Sequence, residues 1–520
     1  MIIDARTVPQ NTVLDSDICI IGGGAAGITL TRELAGTSLQ VCLLESGGLE
    51  FAPATQNLYA GESTNPHFFP LDVTRLRYFG GSTNHWSGWT RPFQLIEFEK
   101  RAHIPYSGWP FGLAELEPYY RRAQVLCEVG PFAYEAKDWT INDQEPLKLN
   151  PSRFFTSIFQ FSPPTRFGQR YREELAKAQN VRVYLRANVT TLETPPVPNA
   201  VSQVRVATLG GPAFQVRSRR YVLAAGGIEN VRLLLSSDQV ETAGLGNQND
   251  LVGRFFMDHP IFEQSGQILF KQRYPELDYY RLTAVQPNVI VRGILEPATE
   301  LTKREGLPNF YIGIRPATAT DVSEGAASIK ALWWRLRKGS FPEDLGKHLG
   351  NIISDLDGLA SAAYGRIAGS SPTHYATFSS LEPPPNPDSR ITLTNERDAL
   401  GLRRVKLDWR LGPDFEHFFM RAHELLGQEL GRVGLGRLRI RPRGSALDPM
   451  ENYENGHHHM GATRMHPDPK QGVVDSDGRV HGIANLYVAG SSVFPTYGCG
   501  TPTLTIVALA TRLADHLKAT

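Results

Sequence analysis

Six residues near the start of the chain, Gly22-Gly23-Gly24-Ala25-Ala26-Gly27, constrain its fold more than any other segment. They follow an apolar run at 17–22 (DICIIG) and open a helical pattern that runs to Leu34. A second apolar run follows at 41–44. Strand, glycine turn, helix and strand in that order make a βαβ unit with the spacing GxGxxG. Gly22 permits the tight turn, Gly24 lets backbone approach a pyrophosphate, and Gly27 lets the helix lie close on the sheet. Phosphates would rest on the helix N-terminus, where free N–H groups and the helix dipole favour anions. Glu45 ends the second strand, about 20 residues on, where an acid accepts from ribose hydroxyls.

The rest of the composition narrows the class. A chain of 520 residues exceeds one ordinary core and predicts at least two domains. A formal net charge of +1 gives no global field for nucleic acid or acidic lipid. The first residues, MIIDARTVPQNTVLDSD, lack the basic start and apolar core of a signal peptide, and no apolar run reaches the ~20 residues that span a bilayer. Cys19, Cys42, Cys127 and Cys499 form no CxxC pair, which argues against a disulfide framework, zinc or attached haem. The expectation is a reduced, cytoplasmic protein without a metal.

Beyond the βαβ unit, residues 112–127 and 171–179 read as helices, and 181–194, 202–208 and 214–224 alternate like strands. GGIENVRLLLSS after Ala224 opens another helix. Residues 265–315 and 386–410 read as strand-rich, 322–368 as helical. Within the last of these, 330–338 is aromatic and basic. It reads as a solvated helix with its apolar side on the core, or as an interfacial helix touching membrane or a partner.

The C-terminal portion separates FAD from NAD. NLYVAGSS supplies a late strand at 486–489 that ends at Gly490-Ser491. Flavoproteins with this nucleotide domain return such a strand to the ribityl and pyrophosphate. Many carry Asp after the Gly; Ser491 departs from that. The cluster His457-His458-His459 precedes this strand, and a neutral imidazole suits proton acceptance near pH 7.

With these segments quoted, the chain resembles the glucose–methanol–choline (GMC) oxidoreductases. The resemblance rests on GGGAAG, RYFGGSTNHWSG (77–88), LAAGGIEN, VGRFFMDHP, PNPDSRITL and the closing HHMGATRM…NLYVAGSSVFP…PTLTIVALATRLADHL. It is nearest the branch holding pyranose oxidases and the flavin subunits of sugar dehydrogenases. The resemblance implies tightly held FAD, hydride transfer from an alcohol to flavin N5, and a histidine that takes the hydroxyl proton. Counting four residues back from Thr463 places that base at His459, with His457 and His458 as flanks. The family's second catalytic position, His or Asn, holds Thr501 here, which donates or accepts a hydrogen bond but cannot carry the proton charge. The last helix begins at Pro502, a favoured first-turn position, with its N-terminus toward the flavin N1/C2=O end.

Cofactor contacts are expected from Gly22, Gly24, Ala25, Ala26 and Gly27, from Glu45 and Ser46, and from Gly80, Gly81, Ser82, Asn84, His85 and Trp86. Val189, Ala225, Gly226, Gly490, Ser491, Pro502 and Thr503 complete that set. Asn84 or His85 would face the flavin ring. His85 stands where some pyranose oxidases bond histidine to the flavin 8α-methyl, and a hydrogen-bonded supporting histidine is the other reading. Trp86, Trp89 and Trp109 are candidates for a substrate wall, or core aromatics.

The expected fold is α/β, a Rossmann-type FAD domain (1–100, 181–265, 450–520) interleaved with an α+β substrate domain on an antiparallel sheet (101–180, 266–449). The expected reaction oxidises a CH–OH group on a sugar, polyol, glycoside or sugar-like natural product. Oxygen, quinone or a redox protein then reoxidises the flavin. Two alternatives stand beside it: a lyase that keeps FAD structurally, and the flavin subunit of a membrane-associated dehydrogenase docked through 330–338.

Overall fold

The computed structural model describes the whole chain except residues 272–276, 318–320, 322, 338–344, 358, 361–374, 442 and 445–447. The strand Val13–Ile21 ends in Ile18, Cys19, Ile20 and Ile21, all buried, as a central parallel strand covered on both faces requires. It runs parallel to Val41–Glu45, with Ile18 opposite Val41, and to Ala213–Leu223, with Leu223 opposite Ile21. Val181–Leu185 and Ile2–Asp4 extend the sheet beyond Val41–Glu45. The late strand Leu486–Val488 joins Ala213–Leu223 in parallel, Tyr221 opposite Leu486. Gln203–Ala207 and Asn188–Glu193 add an antiparallel edge. Chain ends far apart in sequence thereby meet in one eight-stranded sheet.

A second sheet, nine-stranded and antiparallel, runs in the order Gly436–Ile440, Pro260–Phe270, Tyr375–Leu381, Phe310–Pro316, Val289–Pro297, Phe154–Phe161 and Trp89–Thr90. The helix Phe415–Arg432 covers it, burying Phe415, Phe419, Leu426 and Leu430 beside Phe262 and Phe310. A small third sheet pairs Arg390–Arg397 and Arg403–Asp408 with Gly61–Ser63.

Several sequence expectations are corrected here. The helix Phe415–Arg432 was not anticipated, although its buried positions recur at helical spacing. A short helix, Thr299–Glu305, interrupts the strand-like stretch 265–315 and ends at Gly306 in the left-handed conformation, a common helix stop. The division at 265/266 cuts the continuous strand Pro260–Phe270. Helix Leu113–Leu126, assigned to the substrate portion, packs against Pro502–Ala519, and Tyr120 meets the Thr505 hydroxyl at 2.9 Å. Trp333 and Leu336 of helix Glu324–Arg337 are 52% and 62% exposed, and Lys338 lies outside the described residues. Among the described residues no helix is long and apolar enough to cross a membrane.

Candidate active site

A cavity of about 700 Å³ lies between the two large sheets and is walled by both. On one side is the glycine turn. Gly22 has φ +110°, and a Cβ there would meet the Ala224 carbonyl oxygen at 2.5 Å. A Cβ on Gly27 would lie 1.8 Å from the Gly22 carbonyl oxygen, so only glycine lets the helix start this close to the strand. A Cβ on Gly24 meets nothing within 4 Å, because Gly24 faces the cavity. Two glycines close the turn and one leaves open space at the helix N-terminus. That is the cradle a dinucleotide pyrophosphate needs.

Glu45 is buried beside this turn. Its carboxylate accepts from the Gly23 N–H at 2.8 Å and the Gly47 N–H at 2.6 Å, and keeps lone pairs for further donors. Ser46, Val189, Ala225, Gly226, Gly490 and Ser491 share the wall with it, as do Ala25 and Ala26. Next to them is a cluster that the sequence reading missed. Arg75 and Arg77 both bond Glu229, at 3.0 and 3.2 Å, and both lie over the Tyr59 ring. Burial pushes the Glu229 carboxyl up, but Arg75, Arg232 and Arg77 outweigh it and hold it at about 2. The alternation Arg75-Leu76-Arg77, directly before the GGSTNHW motif, was the available signal.

In the loop after Gly80, whose φ is +103°, Gly81, Ser82, His85 and Trp86 line the cavity. Asn84 does not face it: its Nδ2 turns back to donate to the Phe79 carbonyl at 3.0 Å. Of the two candidates for the flavin face, His85 is the one in place, with its imidazole held below its ordinary pKa by burial and by Arg166. Trp86 and Trp89 are wall residues. Trp109 is core, packed among Phe93, Phe98, Phe111 and Phe494, with its indole N–H on the Thr496 hydroxyl.

All three histidines of the cluster reach the cavity, in different settings. The His459 ring is buried against Phe68 and Phe256, 5.9 Å from each ring centre. Its Nε2 is enclosed without a partner. Burial, then the positive charge of Arg75, press its pKa well below the ordinary value. His458 is held on two sides: its backbone N–H donates to Asp258 Oδ1 at 2.9 Å, and its Nδ1 meets His259 Nδ1 at 2.8 Å. His259 Nε2 lies 3.2 Å from the Gly498 carbonyl.

These contacts set the protons. A carbonyl only accepts, so His259 Nε2 donates. Burial draws His259 down to about 4, leaving the ring neutral with an acceptor at Nδ1. His458 must then donate from Nδ1, which leaves the lone pair on Nε2. His259 was not singled out from sequence, although it stands in the quoted VGRFFMDHP.

The Gly498–Thr501 turn completes the wall. Gly498 is left-handed at φ +59°, and Glu97 accepts from the Cys499 N–H at 3.2 Å. Burial raises Glu97 to about 7. The Thr501 hydroxyl donates to the Trp89 carbonyl at 2.7 Å, so its proton is not free to align a substrate oxygen. Pro502 and Thr503, at the start of helix Pro502–Ala519, also line the cavity. Among the described residues no group of three or more His, Cys, Asp or Glu is arranged to hold a metal.

A nucleotide cradle joined to an antiparallel substrate sheet, with imidazoles at the join, defines a flavin-dependent oxidoreductase. Residues 17–245 match the family described as FAD dependent oxidoreductase, and residues 385–510 match GMC oxidoreductase. The chain is an FAD-dependent oxidoreductase whose C-terminal part is similar to the GMC oxidoreductases. It is 23% identical to the fructose dehydrogenase large subunit of Gluconobacter japonicus, covering 98% of each chain. It is likewise 23% identical to paromamine 6'-oxidase of Streptomyces fradiae, over 96% of this chain and 90% of that one. The solved pyridoxine 4-oxidase from Mesorbium loti has the same fold, with TM-score 0.57 at 17% identity over 97% of this chain and 99% of that one.

Proposed function

We propose that the chain oxidises a CH–OH group on a sugar, polyol or sugar-like natural product, with His458 taking the hydroxyl proton. Bound FAD supplies the hydride acceptor. The glycine turn, Glu45, Val189, Gly490, Ser491 and the N-terminus of helix Pro502–Ala519 would hold it. The carbinol gives up one hydride from carbon and one proton from oxygen, and this chain's own task is the proton. The observation that carries the reading is the Gly498–His259–His458 chain, which leaves the Nε2 lone pair free on a ring that lines the cavity.

This reading moves the base from His459, where the count to Thr463 puts it, to its neighbour. Burial holds both His458 and His459 well below the ordinary value, and the charge of Arg75 opposes protonation at His459 in addition. His458 also has an acceptor that spreads the developing charge: an imidazolium there donates from Nδ1 to His259 while holding the substrate proton on Nε2. Thr501 then serves the site indirectly, by tying the Gly498–Thr501 turn to Trp89. His85 either bonds the flavin or hydrogen-bonds it. Acid precipitation separates the two, because colour left in the protein pellet marks a bond.

An anaerobic bleaching screen with sugars, polyols and glycosides tests the reaction. Loss of the yellow flavin colour with a carbinol substrate is the expected result. Turnover with the flavin still oxidised would make the chain a lyase instead. The second reading, the flavin subunit of a membrane-associated dehydrogenase, draws on the exposed Trp333 and Leu336 and is tested by partition into membranes.

A further inference from the structure

The cavity wall contributed by the nine-stranded sheet carries a cation with no ion pair among the described residues. Arg292, on the strand Val289–Pro297, lines the cavity with Trp89, Tyr311 and Phe378. Its guanidinium carbon lies 4.3 Å from the centre of the Phe378 ring and 5.6 Å from that of Trp89. Nε donates to the Tyr280 carbonyl at 3.0 Å and Nη2 to the Ile314 carbonyl at 3.4 Å. Nη1 has no partner among the described residues, and none of their carboxylates comes within the 4.0 Å of an ion pair.

Several buried arginines of this chain are paired with carboxylates, whereas Arg464, away from the cavity, rests on the Tyr106 carbonyl and over the Phe255 ring. Arg101 bonds Glu382 at 2.6 Å, Arg232 bonds Asp398 at 2.8 Å, and Arg75 bonds Glu229 at 3.0 Å. Arg315, on the same wall as Arg292, is closed by two 2.7 Å bonds to Asp321. Glu263 also reaches this wall but is exposed, and its charge acts on Arg292 only through space. Burial draws the Arg292 guanidinium down to about 10, the direction expected for a cation that has lost water without gaining a charged partner.

A charge drawn out of water is normally paired, so a half-buried cation with no ion pair on a cavity wall is a place for an anion that the ligand brings. We propose that Arg292 determines specificity by taking the carboxylate of a polyhydroxy acid, whose carbinol is then presented to His458. One uncompensated positive charge matches one negative charge, which favours a carboxylate over a doubly charged phosphate. The aromatic rings beside it shield the pair from water and suit the carbon chain of such an acid. This inference rests on the alcohol-oxidation reading for its reaction but not for its binding site.

The probes are D-gluconate and D-gluconamide, which differ in the charge at one end. Calorimetric titration into holoenzyme with its flavin reduced beforehand measures binding without turnover. Gluconate should bind the native enzyme about 10- to 100-fold more tightly than gluconamide. Arg292→Leu should erase that difference, Arg292→Lys should keep part of it, and Glu263→Gln should leave it in place. Where the Leu variant loses its flavin, Arg292→Gln replaces it, keeping an amide donor on the wall. Equal affinities in the native enzyme, or a difference that survives loss of Arg292, would overturn the proposal. The expected binding pattern without oxidation of either ligand would overturn the alcohol-oxidation reading alone. Oxidation of neutral polyols with no preference for the acid would overturn the carboxylate site alone.

Discussion

His259 and His458 face each other Nδ1 to Nδ1 at 2.8 Å, although 199 residues separate them in sequence. Two neutral imidazoles at this distance must share one proton, and the Gly498 carbonyl behind His259 decides which ring donates. The base proposed above is thereby oriented before substrate arrives.

The two adjacent histidines can be ranked. His458→Ala should keep FAD and slow anaerobic flavin reduction by about 100-fold or more, the usual span for a general base. His459→Ala should cost less in rate, since that ring is enclosed by Phe68 and Phe256 and stands next to Arg75. Rapid mixing with one substrate compares them. The reverse order would return the base to His459.

The pH dependence of stability follows from His259. Its folded pKa of about 4 lies below the ordinary 6.5. Its neutral form is therefore favoured by folding, and that contribution is present above pH 6.5 and lost as pH falls toward 4. The shift corresponds to roughly 3 kcal/mol. Asp258, pushed up to about 7 by burial, acts in the opposite sense: its contribution is present at low pH and lost as pH rises through 7. His259→Gln keeps a donor for Gly498 and removes the titration. Between pH 6.5 and 4 the native protein should lose more thermal stability than this variant. Parallel melting curves in the two proteins would show that His259 is not held neutral by the fold.

The glycine turn predicts two distinct failures. Gly24→Leu puts a side chain into the open cavity, so the protein should fold normally and purify without yellow colour. Gly27→Ala drives a Cβ to within 1.8 Å of the Gly22 carbonyl oxygen, so it should lower the melting temperature as well as the FAD content. Absorbance at the flavin bands and thermal melts separate the cases. A fully yellow Gly24→Leu protein would mean that no phosphate lies at this helix N-terminus.

The nucleotide half of the site was legible because its chemistry is local. Turn, helix and acid fall within 30 residues, and the glycines report backbone conformation directly. The late strand could be placed because Gly490 follows an apolar run. What could not be read depends on pairing across the chain. His259 became relevant only through the register that sets Pro260 opposite Asn455, and Arg292 only because none of the described carboxylates was folded within ion-pair distance of it. Counting along HHHMGAT gave three adjacent imidazoles, and spacing alone could not tell which ring was enclosed. Asn84 turns away from the cavity and Trp109 takes the core alternative for the same reason: a motif fixes the backbone, while neighbours distant in sequence decide where the side chain turns.

Thr501 supplies the last test. Its hydroxyl proton is committed to the Trp89 carbonyl at 2.7 Å, and Thr501 caps the helix that begins at Pro502. Thr501→Val keeps the shape and leaves that carbonyl without its donor, a loss of about 1–3 kcal/mol for a buried acceptor. The turn that carries Gly498 then loosens, and with it the carbonyl that orients His259 and, through it, His458. Flavin reduction should slow by roughly 5- to 150-fold, taking each 1.36 kcal/mol as tenfold. It should slow less than in His458→Ala, because the proton acceptor is still present. Thr501→Ser, which restores the hydroxyl, should recover most of the rate. An unchanged rate in Thr501→Val would mean that the turn holds its shape without this bond.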